Sequence, residues 1–118
     1  MSVKIPLVGG ESNANYSQLV DLGEYSYQIE IHYQQNGQWS MDIIADGDVG
    51  EIPITTVNDK NYVAMGVMLE GGVDVVGMYE IRKTFGQLFF VGDEANLDNL
   101  GSSNSLIWCS PDEVVTYS

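Results

Sequence analysis

The side chains best placed to do chemistry are Glu30, His32 and Asp42. They belong to the polar half of a block, residues 25–45, whose apolar residues take the odd positions: Tyr25, Tyr27, Ile29, Ile31 and Tyr33, then Trp39, Met41, Ile43 and Ala45. Alternation over this length specifies two strands, each with one buried face. The turn Gln35-Asn36-Gly37 decides the register. A two-residue Asn36-Gly37 loop would oppose Tyr33 to Ser40 and mix the two faces. A three-residue loop with Gly37 in the left-handed region opposes Tyr33 to Trp39, Ile31 to Met41 and Ile29 to Ile43, and keeps the faces separate. That register sets Glu30 directly across from Asp42, with His32 across from Ser40. Opposed carboxylates are unfavourable on a strand pair, on the scale of the ~0.2–1 kcal/mol that good cross-strand pairs contribute. A Lys or Arg from elsewhere in the fold, or from a partner, would relieve them. Paired carboxylates also serve glycoside hydrolysis, but a flat strand face with no other sign of a site does not support catalysis. Glu30, His32 and Asp42 are therefore a candidate partner interface, and the plain alternative is a solvated or internally paired face.

Other clusters say less. Asp46, Asp48 and Glu51 bring hard oxygen donors together, as calcium requires, but positions 50 and 57 hold Gly50 and Val57 where an EF-hand loop needs its acidic or amide ligands. Asp93-Glu94 with Asp98 is a second acidic turn of the same kind. No metal and no cofactor is expected. Cys109 is the single cysteine and lies in an apolar stretch, so it reads as a reduced, buried thiol. His32 is the only histidine and stands far from it in sequence, so no Cys–His pair is expected. The chain has no Walker loop, Rossmann fingerprint, paired metal cysteines or nucleophile elbow. The aromatics Tyr16, Tyr25, Tyr27, Tyr33, Trp39, Phe89, Phe90 and Trp108 could form a stacking platform; at strand spacing they read as core.

The elements that would position these residues are strands. Residues 3–8 predict a first strand, with Pro6 marking it as an edge or a bulge. Residues 16–22 predict a second, alternating Gln18, Val20 and Leu22, and Gly23-Glu24 connects it tightly to the hairpin. Residues 46–50 are a turn, 52–57 a short strand carrying Pro53, 58–61 another turn. Residues 62–69 predict a strand with Val63, Met65, Val67 and Leu69 on one face. Gly71-Gly72 breaks the chain, residues 73–76 are a short apolar run, and 79–83 a strand or single turn. Residues 86–91 are apolar on both faces and predict a central strand. Residues 93–101 are a loop or one helical turn, 104–109 a strand, and 113–117 a terminal strand or tail. No window holds a 3.6-residue period, so little helix is expected. Turn signals every 8–12 residues point to an all-β fold: a small sandwich or partly open barrel of antiparallel strands.

Composition bounds the function. The 118 residues suit one domain, 1–118, with a core that needs neither metal nor disulfide. Seventeen Asp and Glu against four Lys and Arg give a formal charge of −13. That balance opposes contact with phosphate backbones or anionic membranes, so neither nucleic acid nor membrane is an expected partner. It suits a chain that repels its own copies until it docks on a complementary surface, and equally a solvated exterior. Ser2, Val3 and Lys4 follow Met1 without a long apolar run, so neither a signal peptide nor a membrane span is expected.

The linear pattern resembles the baseplate plug family of contractile-tailed phages. It runs from Ile5-Pro6-Leu7 through the Tyr-x-Ile-x-Ile-x-Tyr stretch at Tyr27, Ile29, Ile31 and Tyr33 to Trp39, Asp42 and Ile43 after the Asn36-Gly37 turn. Ile52-Pro53-Ile54-Thr55, Gly66-Val67 with Leu69, and Gly72-Val73-Asp74 follow. Gly86-Gln87-Leu88-Phe89, Asp93, Leu100-Gly101, Leu106 and Trp108 complete it. Residues 57–65 depart from the pattern as an apparent insertion. The resemblance implies a structural virion protein and not an enzyme. It implies synthesis in the host cytoplasm and assembly, in several copies, beside the hub and the tail-tube initiator. It transfers no catalytic residue. Two other readings compete: an acidic DNA mimic that blocks a nucleic-acid-binding protein, and a small-ligand or calcium-binding β-barrel. Against the mimic, the acids are spread evenly from Glu11 to Glu113 rather than set in a row.

Overall fold

A computed structural model of the protein describes residues 2–34, 37–71, 73–79 and 81–111. Among these residues eight strands form two antiparallel sheets: β1 (Ser2–Ile5), β2 (Asn15–Leu22), β3 (Tyr25–Tyr33), β4 (Trp39–Ala45), β5 (Thr55–Val57), β6 (Lys60–Met68), β7 (Gln87–Gly92) and β8 (Asn104–Cys109). One sheet has the order β1-β8-β7 and the other β2-β3-β4-β6-β5. The sheets do not close into a barrel, which favours the sandwich of the two all-β forms expected. Helix is confined to the 3₁₀ turns Glu11–Asn13 and Gly77–Tyr79 among the described residues.

The hairpin has the register that its alternation demands. Tyr33 pairs Trp39, Ile31 pairs Met41, Ile29 pairs Ile43 and Glu30 pairs Asp42. Gly37 has φ 87°, the left-handed turn residue that this register needs, while Gln35 and Asn36 lie outside the described residues. Tyr27, Ile29, Ile31, Trp39, Met41 and Ile43 are all buried, facing Leu88, Phe90, Leu106 and Trp108 of the other sheet within one core. Aromatic rings link the two layers. Phe85 stands edge-on to Tyr27 at 5.3 Å and near Trp108 at 6.5 Å, and it accepts the Trp108 Nε1–H through its carbonyl at 2.9 Å.

Several expectations need correction. β1 stops at Ile5, so Pro6 follows the strand instead of interrupting it, and β5 begins only after Pro53. Proline has no N–H to give a ladder. β7 is not central: β8 lies between β1 and β7. The flank of β7 is instead met by Gly71, which bridges Phe90, by Asp74, which bridges Phe89, and by Val75, whose N–H bonds Leu88 O. Met65 does not share an inward face with Val63, Val67 and Leu69; it is exposed, because β6 carries two register shifts against β4. Of the two forms expected over residues 79–83, the described residues take the turn: Tyr79 closes the 3₁₀ turn and Ile81 O accepts the Thr84 and Phe85 amides, while Glu80 and Gly72 lie outside the described residues. The terminal strand expected over 113–117 also lies outside the described residues. The 57–65 departure is the β5–β6 hairpin itself, closed by Asn58 and Asp59 with φ 49° and 65°.

Candidate functional site

Strand parity puts Gln28, Glu30 and His32 of β3 on the face opposite the core, with Ser40, Asp42 and Ile44 of β4 beside them. This face is not wholly polar. Ile44 is buried there, outside the main core cluster, and Ser40 is buried with it, holding Gln34 Nε2–H on its hydroxyl.

Glu30, His32 and Asp42 come together as a group. One donor atom from each lies within 4.8 Å of the others. The opposed carboxylates are relieved from inside the chain, each by its own cation-forming partner. Lys60 Nζ reaches Glu30 Oε2 at 3.6 Å, and His32 Nε2 stands 3.6 Å from Asp42 Oδ2. All four side chains are partly exposed, so the Lys60–Glu30 pair contributes roughly 0–1 kcal/mol, and the His32–Asp42 contact is an ion pair only with the imidazole protonated.

Two further partners fix the geometry. His32 Nδ1 lies 2.9 Å from Asn15 Oδ1, across the β2–β3 pair. Asp42 Oδ1 accepts the Gly66 N–H at 2.8 Å. The second bond has its origin in the β6 irregularity. Between Met41 and Ile43, β4 advances two residues while β6 advances three, from Val67 to Ala64. The extra residue releases the Gly66 amide from the ladder, Gly66 takes φ 64°, and Asp42 receives the freed donor. Tyr79 braces the same bulge, donating its hydroxyl to Met65 O and accepting Met65 N–H.

Asn15 escaped the sequence reading although its signal was present. The tight Gly23-Glu24 connection pairs Leu22 with Tyr25, and counting back from that pair brings Asn15 opposite His32. Lys60 and Gly66 left no comparable signal, because two bulges defeat counting across β4 and β6.

Two concave surfaces flank the hairpin. A cleft at its turn end has Trp39 and Phe90 among its walls, with Glu70, Asp93 and Glu94 and no Lys or Arg among the residues lining it. Trp39 is held there by its Nε1–H, donated to Asn96 O at 2.8 Å. A second hollow beside the bulge is lined by Gly66, Val73 and Met78, and Met78 is 85% exposed. The acidic turns at Asp46 and Asp48 and at Asp93 and Glu94 are exposed, with Asp48 capping Gly50 N–H.

A family model described as cyanophage baseplate Pam3 plug gp18 matches residues 3–111 of the chain. No curated protein matches it.

Proposed function

The chain belongs to the cyanophage baseplate plug family, and from that premise we propose that it packs beside the hub and the tail-tube initiator to assemble and hold the baseplate. Membership makes it a component of the phage tail that associates with other baseplate proteins. The observation that carries the finer reading is the extent of the match, which takes in both sheets and nearly all of the chain. The protein works by surface complementarity and not by catalysis, as one domain over residues 1–118, made in the host cytoplasm and built into the tail in several copies.

The contact we assign is the outer face of the β3–β4 hairpin, with Glu30, His32 and Asp42 at its centre and the exposed Val73 and Met78 beside the neighbouring bulge. An acidic, partly apolar surface on a chain of charge −13 suits a basic, partly apolar partner. Complementation of a deletion phage with a Glu30→Arg, Asp42→Arg double variant tests this assignment. Loss of the variant from purified tails, with native circular dichroism of the isolated protein, is the expected result. Incorporation at the wild-type level would remove this face from the interface.

A further inference from the structure

We propose that Glu30, His32 and Asp42 bind a divalent transition-metal cation, with zinc as the reference ion. The inference does not rest on the docking reading, since it concerns the isolated chain. Residues at i and i+2 of one strand and a third directly across on its neighbour put three side chains on one sheet patch. Here they offer an imidazole nitrogen and two carboxylate oxygens, a donor set suited to zinc and unlike the all-oxygen shell of calcium. Zinc–ligand bonds of about 2.0–2.1 Å need donors roughly 3.3 Å apart. His32 Nε2 and Asp42 Oδ2 already stand 3.6 Å apart, and all three donors lie within 4.8 Å, so side-chain rotation alone closes the site.

The surroundings of the three ligands support the assignment. His32 Nδ1 engages Asn15 Oδ1 at 2.9 Å, which leaves Nε2 as the ring nitrogen that faces the Asp42 carboxylate. A cation placed between Nε2 and Oδ2 takes a ligand from each. Ligating histidines characteristically give their other N–H to an outer acceptor, and ligating carboxylates are themselves hydrogen-bonded. Asn15 and the Gly66 amide fill those roles from outside the trio. Lys60 is the resident competitor at Glu30; it is about half exposed and free to swing away.

Calorimetric titration of the full chain with zinc chloride tests the proposal. The expected result is one saturable site, lost in His32→Ala and weakened about tenfold in Asn15→Ala, the magnitude typical of an outer-shell ligand. Lys60→Met should bind zinc more tightly than wild type, a gain that misfolding cannot imitate. Asp46→Asn with Asp48→Asn should leave the affinity unchanged. Absence of saturable binding in both wild type and Lys60→Met, or binding that survives His32→Ala, would overturn the assignment.

Discussion

The Asp42 carboxylate divides its two oxygens between a backbone amide and an imidazole: Gly66 N–H on Oδ1, and His32 Nε2 near Oδ2. The amide bond is the more consequential, since it satisfies a donor that the bulge has taken out of the ladder. Asp42→Ala should therefore lower unfolding stability in urea by about 1 kcal/mol, while Asp42→Asn, which keeps an acceptor, should cost markedly less. Equal losses would assign the effect to charge alone. The tyrosines supply a pH dependence. Burial, and next the neighbouring Tyr25, push Tyr27 far above the ordinary value of 10.0; burial also raises Tyr16, against the lowering effect of the Val8 amide on its hydroxyl. An acid held neutral by the fold stabilises fully below its unfolded pKa and loses that contribution as pH climbs toward the folded value. Urea midpoints should fall as pH rises above about 10, and less steeply in Tyr27→Phe. The opposed pair Glu30–Asp42 was legible from alternation and one turn. Its relief by Lys60 and its anchoring by Gly66 were not, because both come from a strand whose register no local pattern announces.

At the level of elements, the hairpin and the β6 bulge are contrasting cases. β3 and β4 obey a strict two-residue period, and a single parity choice placed every inward side chain. β6 also alternates by composition, yet Gly66 breaks its parity and turns Met65 outward. A Cβ at Gly66 would meet nothing within 4 Å, so Gly66→Ala carries only the left-handed backbone cost. It should destabilise the protein by about 1 kcal/mol without changing the fold, measured by urea unfolding and far-ultraviolet circular dichroism. No loss would mean that the bulge relaxes when Gly66 is replaced. β7 shows a different limit. Apolarity on both faces signals burial and not a central place in the sheet: β7 ends its sheet, and its flank is bridged by Gly71 and Asp74.

For the whole molecule, the charge of −13 and the two open sheets form one picture. Among the described residues β1, β2 and β5 end their sheets, and self-repulsion of an acidic surface opposes edge pairing between copies. The acidic-mimic alternative shares the charge but predicts a soluble inhibitor instead of a structural part. The family match extends across both sheets and supports the structural role. Quantitative mass spectrometry of purified tail particles, washed free of unbound protein, separates the two most directly. A fixed ratio of this chain to the hub and tube proteins is the predicted result. Its absence from the particles, with abundant protein left in the lysate, would contradict a baseplate role.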